Sequence, residues 1–590
     1  MPDFKKLLSL HKKLDHFRRS LAYIDALPQL TFLGLIIGTF TGLLIAFFRW
    51  VISLPVWEVW QGDFQDFEDL SGWARVVLIM SGTSISALII SVLGKYRSQM
   101  SVAHVLDRLH NHQGKLPLSN TLAQFVIAAI CMITGQSVGR EGPAVHLGAG
   151  LASQLGQWLR LPNNSMHTLL SCGVAAAISA SFDTPLAGVI FAMEVIVMEY
   201  TIIGFVPVIL ASVMGTVITR IFFGESGAFV VGSADIHSLL ELPYVAAVGI
   251  VIALAAGIYI KLNLMAMHIK KWHIALRILI AGTLTSIAAW WVPEIMGLGY
   301  DTINSAIASQ LLLSTLLIIA ACKLIVSPIV IGLGVPGGLI GPSLITGACI
   351  GGAMGIVAQL LLPDIRVDAG FYALLGMAGM MAAVLNAPLA ALLAIAELSY
   401  SHKVIFPAML TIVVACVVTR QVFKVSGIFI EQLKDSGRTL EFGPATQALK
   451  RAGVHSILET SFVISPTELD YEQAKKLFVN QPKWIVVNRE DKYTLPAADL
   501  ANFLDKAPVD ILSLEVPVIL EEVPGRRQNL RPIHESASLY EALQAFEAYQ
   551  CDSLYVQLKA APTQSDVLGI ITLHSIQNYY QPREFRHALD

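Results

Sequence analysis

A carboxylate and a guanidinium stand side by side in Gly139-Arg140-Glu141-Gly142-Pro143, between two long apolar segments. Ionisable side chains are expensive inside a bilayer and mark ion paths or relays. Pro143 suits the first turn of a helix that begins at this point. A helix that starts within the membrane turns its unsatisfied N–H groups and the positive end of its dipole toward whatever lies ahead of it. That arrangement is an anion site. Glu141 sits at its mouth and is itself an anion, so the residues predict a carboxylate that competes with a permeating ion, which is the physics of a gate.

The elements that must position Glu141 recur later in the chain. Gly173 through Pro185-Leu186-Ala187 resembles Gly376 through Pro388-Leu389-Ala390, at a constant offset of 203 residues. Glu194 and Glu397 each follow their proline by 9 residues. Each copy is preceded by a glycine-rich helix start, Gly139–Pro143 in one and Gly334 through Pro342 in the other. Duplicated halves with matched broken helices are the sequence sign of a transporter fold with its substrate site at the repeat interface. Several apolar runs, such as Leu122–Ile133, are shorter than the roughly 20 residues that span a bilayer. Such broken helices are tolerated where they line a protein-enclosed cavity.

Composition agrees. Of 590 residues, 55% are hydrophobic and only 14% charged, with mean hydropathy +0.63, so most of the chain is expected in the membrane. A net charge of −3 gives no bulk attraction to nucleic acid. Of the six cysteines, Cys131, Cys172, Cys322, Cys349 and Cys416 fall in apolar stretches and Cys551 does not; their scatter argues against a disulfide frame or a zinc site. Three regions separate: a basic amphipathic segment over 1–28, a membrane region over 29–440 with repeats at about 75–220 and 275–430, and a polar tail over 441–590. Basic residues in the N-terminal arm, at Lys95 and Arg97, and at Lys270 and Lys271 place those segments on the cytoplasmic side, and the tail with them. No signal peptide is read, since the first apolar run, from about Leu30 to Ile52, is too long for one.

On these residues the chain resembles the CLC family of chloride channels and proton/chloride exchangers over about 30–435. Gly139-Arg140-Glu141-Gly142-Pro143 matches the family's G-R-E-G-P, and Gly338-Leu339-Ile340-Gly341-Pro342 is similar to its G-x-F-x-P. The resemblance implies an α-helical polytopic membrane protein, an inverted repeat of broken and re-entrant helices, assembled as a homodimer with one anion pathway per subunit. It implies that Glu141 gates and that Arg140, Gly142, Leu339 and Ile340 help to hold the anion.

Departures from the family pattern are as informative. The first anion loop, G-S-G-I-P in the family, aligns with Gln99-Met100-Ser101-Val102-Ala103. Met100 then replaces a hydroxyl donor with a thioether that cannot donate, leaving the contact to the backbone or to Ser101 in a shifted register. The family's late pathway tyrosine aligns with Phe429, which keeps the bulk and loses the hydroxyl. Exchangers of the family commonly carry an inner proton-relaying carboxylate where this chain has Val195. Valine carries no proton, so the relay position is lost and passive or weakly coupled flow is favoured over stoichiometric exchange.

Other titratable residues have plainer readings. Glu194 and Glu397 read as helix caps or ion-pair members, and Arg140 alternatively as their partner. His146 reads as a hydrogen-bonded helix histidine before a titrating one. His104, His110 and His112 read as solvated loop residues rather than metal ligands. The tail resembles a pair of α/β CBS (cystathionine-β-synthase) repeats. Asp499, after Pro496, and Thr572 are its candidate adenine-nucleotide contacts; Ser575 stands where the second repeat commonly has its ribose-holding aspartate, so a dimerisation module that binds nothing is favoured. No nucleophile–base pair or phosphate loop marks an enzyme, and no metal or other cofactor is required. The expectation is an inner (plasma) membrane, multi-pass, lipid-embedded transporter of chloride or similar small anions, gated by Glu141. The alternatives are a proton/chloride antiporter or an anion/pH sensor acting through the tail.

Overall fold

The computed structural model describes Leu21 and residues 26–59, 67–97, 100–198, 202–224, 238–361, 367–438, 444–489, 491–506, 517–557 and 567–580. The amphipathic segment expected over 1–28 lies almost wholly outside these residues, as do the side chains of Lys95 and Arg97. Two compact units are present: residues 27–159 with 166–440, and residues 441–590 with 1–26 and 160–165.

The first unit is all helix. Its first half comprises α1 (Leu27–Val59), α2 (Gly72–Arg97), α3 (Val102–Asn111), α4 (Leu118–Ile133), α5 (Glu141–Trp158), α6 (Asn163–Phe182), α7 (Pro185–Phe191) and α8 (Ile202–Phe223). The second comprises α9 (Leu242–Met267), α10 (Ile274–Trp291), α11 (Tyr300–Ile307), α12 (Leu313–Gly332), α13 (Ile340–Leu361), α14 (Ala369–Leu385), α15 (Pro388–Ser399) and α16 (Ile405–Phe423), closed by α17 (Ile428–Asp435). The order of long and short helices in α1–α8 returns in α9–α16. The duplication therefore reaches one helix further forward than the expected starts near 75 and 275, to α1 and α9. Those two helices match at Pro28 and Pro243, Gly34 and Gly249, and Gly42 and Gly257, at an offset of 215 that differs from the 203 of the motif-bearing segments.

Among the described residues, nine helices are long and apolar enough to cross a membrane. The short helices α3, α7, α11, α15 and α17, of 7 to 12 residues, fall well below the roughly 20 needed to span. Helices approach each other through small residues. Gly34, Gly38 and Gly42 form a stripe on α1 facing α8; a Cβ on Gly34 would lie 2.6 Å from the Pro207 carbonyl oxygen, and one on Gly42 2.9 Å from the Ile218 Cβ. Without a hydrophobic drive between helices in lipid, such close approach is what holds them. The shared glycine of the internal repeat has the same use twice: Gly173 of α6 meets the Gly148 backbone of α5, and Gly376 of α14 meets the Gly347 backbone of α13.

The tail is α/β. After α18 (Pro444–Arg451), one six-stranded sheet runs in the order β1-β3-β4-β6-β7-β8, with β1 (Phe462–Ser465), β3 (Trp484–Val487), β4 (Tyr493–Pro496), β6 (Gln528–His534), β7 (Ser553–Gln557) and β8 (Val567–Thr572). A small pair, β2 (Glu468–Leu469) and β5 (Val518–Ile519), lies apart. In each half of the large sheet a parallel pair, β1–β3 or β6–β7, is followed by an antiparallel strand, β4 or β8, and the halves join where β4 pairs with β6. A helix crosses each parallel pair: α19 (Tyr471–Lys476) in the first, α21 (Leu539–Tyr549) in the second. Another follows each antiparallel strand, α20 (Ala497–Asp505) and α22 (Leu573–Tyr580). Parallel strands need such crossovers, so the tail is one fold written twice. Each half has its own core, around Ile485, Leu495 and Leu500 in one and Leu554, Ile571 and Phe546 in the other.

Candidate functional site

Two helix starts meet in the middle of the membrane unit. Gly139 N–H donates to the Gly338 carbonyl (2.8 Å) and Gly338 N–H donates to that of Gly139 (2.6 Å), a two-residue antiparallel bridge just before α5 and α13. Beyond the bridge each chain turns directly into helix, with Pro143 and Pro342 in the first turns. The N-termini of α5 and α13 are thus brought together with unsatisfied N–H groups and positive dipole ends converging.

Glu141, the first residue of α5, is fully buried in this junction. Its carboxylate packs on the backbone of three glycines. A Cβ on Gly139 would collide with it, one on Gly338 would stand 2.7 Å from Oε2, and one on Gly341 3.0 Å from Oε1. Only glycine leaves room for the carboxylate here. No side chain or backbone group among the described residues makes a regular hydrogen bond to either carboxylate oxygen. The carboxylate lies in the field of two helix ends, against the backbone of Gly341.

A cavity of about 740 Å³ opens beside this junction. Its wall contains Met100, Ser101, Gly142, Leu339, Ile340 and Phe429, six of the positions that the resemblance proposed for the anion. Four helix N-termini supply them: α3, α5, α13 and α17. Phe429 is set by Gly427, whose φ of 104° and close approach to the Leu385 carbonyl (2.6 Å from a Cβ) admit no larger residue. Cations also face the cavity. Arg277 donates to the Gly332 carbonyl (3.2 Å), and Arg438 is paired with the buried Asp107; Asp435 is a carboxylate on the same wall.

Arg140 is placed elsewhere. Its guanidinium donates to the Ser181 carbonyl and lies over the rings of Tyr300 (4.9 Å) and Phe182 (5.3 Å), not on the cavity wall. It does not pair with Glu194 or Glu397 either, because those carboxylates cap each other's helices. Leu389 and Ala390 N–H donate to Glu194 (3.2 and 2.7 Å), and Leu186 and Ala187 N–H donate to Glu397 (2.9 and 2.8 Å). Each glutamate thus satisfies orphan donors at the start of the other half's helix, α15 or α7. Val195 is buried beside Glu194 in a π-helical turn, Ala192–Val197, that ends α7.

The histidines depart from expectation. His104 and His110 lie on α3, not on a loop, and His104 is buried and lines the cavity. Its Nδ1 lies 3.0 Å from His146 Nε2, and Arg108 Nε donates to its Nε2 (3.2 Å). His112 at the end of α3 is the exposed one, beside Asp107. In the tail, Thr572 and Ser575 satisfy each other: Ser575 N–H donates to Thr572 Oγ1 (3.2 Å) and Thr572 N–H to Ser575 Oγ (3.2 Å), while Asp499 packs against Gly525. Two buried residues escaped the sequence reading. Tyr259 of α9 donates its hydroxyl to the Leu339 carbonyl (3.2 Å), and Gln124 of α4 accepts from Ser101 N–H (3.2 Å). Their only signal was a polar group within an apolar helix.

Comparison with known proteins agrees with this geometry. The family model described as voltage gated chloride channel matches residues 82–420. A putative chloride channel protein ClcB-like from Ralstonia nicotianae is 28% identical over 357 residues, 59% of this chain and 83% of that protein. An H(+)/Cl(−) exchange transporter ClcA from Salmonella agona is 30% identical over 292 residues, covering 47% of this chain and 61% of the relative's length. Among solved structures, a slow cyanobacterial Cl−/H+ antiporter superposes with a TM-score of 0.62 at 20% identity, over 69% of this chain and 97% of that one. A eukaryotic CLC transporter does so with a TM-score of 0.58 at 17% identity, over 92% of this chain and 97% of its own. With a family match across more than half its length and the two paired helix starts that such a fold requires, the chain belongs to the CLC family of anion transport proteins.

Proposed function

We propose that the protein conducts chloride or similar small anions through the cavity between α3, α5, α13 and α17, passively or with weak coupling to protons, and that Glu141 is the gate. The reading is carried by the buried Glu141 carboxylate, seated on glycine backbone at the meeting of two helix N-termini and beside that cavity. Backbone N–H groups and helix dipoles replace part of an anion's hydration without presenting a full charge that would trap it, and conduction needs sites that release as well as bind. Arg277 raises the local anion concentration at the cavity wall. When an anion takes the place between α5 and α13, the Glu141 side chain must leave it; protonation of Glu141 has the same effect.

Val195 supports weak coupling, because the side chain beside the Glu194 cap holds no proton. The relatives named as H(+)/Cl(−) exchangers and as a Cl−/H+ antiporter support the second reading, a stoichiometric exchanger. Chloride efflux from proteoliposomes with simultaneous proton recording separates the two. A chloride gradient that drives little uphill proton movement supports the first; a fixed proton-to-chloride ratio establishes the second.

The remaining organisation is proposed on the same footing. The protein is a transporter and not an enzyme, a homodimer in the inner (plasma) membrane, with its N-terminus and tail cytoplasmic. The tail is read as a CBS pair on the strength of its twice-written strand–helix–strand–strand–helix order, acting as a dimerisation module; an adenine nucleotide remains the ligand to test against it.

A further inference from the structure

Ser101 caps α3 on the cavity wall with φ 97° and ψ 172°. That region of backbone space is essentially glycine's, and a residue with a side chain stays there only when its surroundings over-determine it. The restraint is Gln124. Its side-chain amide is fully buried in α4, and the atom 3.2 Å from the Ser101 nitrogen must be its oxygen, because a backbone N–H can only donate. The other end of the amide, Nε2, is buried with no partner among the described residues. A half-satisfied amide in an apolar helix is costly, and its one bond is to the loop that carries Met100.

We infer that Gln124 is a specificity-determining residue, which holds the Ser101 N–H in a bond of its own and so withdraws one backbone donor of the first loop from the anion. This rests on reading the cavity as the anion pathway. Met100 offers a thioether and the Ser101 N–H is occupied, so this loop is left with the Ser101 hydroxyl and the first N–H groups of α3, beside the donors of α5, α13 and α17. Donors matter most to small, strongly hydrated anions, since these give up the most hydration on entering. A pathway with one donor withdrawn on this side discriminates less sharply between chloride and large, charge-diffuse anions such as thiocyanate. Gln124 acts through the loop and is therefore a positioning residue.

The test uses full-length protein in liposomes, with efflux of chloride, nitrate and thiocyanate measured in parallel. Gln124→Met and Gln124→Leu remove the acceptor at similar bulk and release the Ser101 N–H. Either should raise the chloride-to-thiocyanate ratio by on the order of tenfold, the scale of one hydrogen bond to a charged group. Gln124→Glu keeps an oxygen acceptor for Ser101, so it should slow all three anions together and keep the wild-type ratio, which loss of packing alone would not reproduce. A wild-type ratio in both apolar variants overturns the inference, as does a Gln124→Glu variant that shifts the ratio as they do. Absence of anion flux in the wild type is a separate result, which refutes the pathway and not the role of Gln124 within it.

Discussion

Glu141→Gln exchanges a carboxylate for an uncharged group of the same shape, in a site where shape and charge do different things. The carboxylate oxygens lie against Gly338 and Gly341, which flank Leu339 and Ile340 on the cavity wall. An anion drawn up to those N–H groups therefore comes within about 4–6 Å of the carboxylate, one to two Cα spacings along the chain. At an effective dielectric constant near 20, two like charges at that range repel by about 3–4 kcal/mol. Removing the charge should raise anion occupancy next to Glu141 by on the order of a hundredfold. Flux gains less, because tighter binding slows exit; roughly tenfold at neutral pH is expected. In the wild type, acidification protonates the carboxylate and has the same effect as the substitution, so flux rises as pH falls. The glutamine variant should be fast and flat across the same range. The assay is chloride efflux from proteoliposomes of each protein, with the outer pH stepped. A glutamine variant whose flux still climbs on acidification as the wild type's does would falsify the assignment of Glu141 as the gate.

Met100→Ser restores a hydroxyl where the pathway has a thioether. If that hydroxyl reaches the anion, it adds a bond worth about 1.5–3 kcal/mol before water is displaced, and the ranking of chloride against nitrate should change; an identical ranking means that Met100 does not face the ion. Removing one of the reciprocal caps, by Glu194→Ala or Glu397→Ala, leaves two backbone donors without partners at the start of α15 or α7. Each should cost about 2 kcal/mol, read as a lower melting temperature in detergent; a variant as stable as the wild type would show that water replaces the cap. In the tail, a hydrogen bond from the Lys483 ammonium (2.8 Å) holds the Glu459 carboxyl below the ordinary carboxylate range. The folded state therefore gains from the pair above the unfolded pKa and loses that gain as pH falls through the folded one, by less than about 1 kcal/mol for side chains this exposed. Hydrogen exchange at the Glu459–Ile570 bridge should distinguish wild type from Glu459→Gln at neutral pH and not in strong acid.

What was legible in the sequence was whatever local chemistry could write. A charge in an apolar run, a proline at a helix start and a glycine at fixed offset from both are each strained or costly outside one context. Those signals located Glu141, the starts of α5 and α13, and the duplicated segments carrying Glu194 and Glu397. Contacts between distant residues were not legible. The bond from Ser101 to Gln124 spans 23 residues and the His104–His146 pair 42, and each is decided by how helices pack. Arg140 shows the limit most plainly. Its neighbour Glu141 turns inward at the helix start while Arg140, the capping residue before it, turns toward Ser181 and Tyr300, and adjacency in the sequence says nothing of that divergence. Helices α1 and α9 were missed as repeat partners because their shared proline and glycines recur at an offset of 215, out of step with the 203 of the other matches.

The bridge between Gly139 and Gly338 limits how this transporter can move. Many duplicated membrane carriers work by rocking one half against the other around a central site. Here the halves are stitched at that centre by two backbone bonds, and again by the crossed caps, where each half's glutamate closes the other half's helix. A rocking stroke would tear all of these contacts at once, and at the buried glycine bridge each broken bond leaves a polar group unpaired. The stitched halves form a fixed frame. On the proposed reading of Glu141 as the gate, access across the membrane changes through side chains hung on that frame, and the working stroke is the swing of a few atoms rather than of a domain.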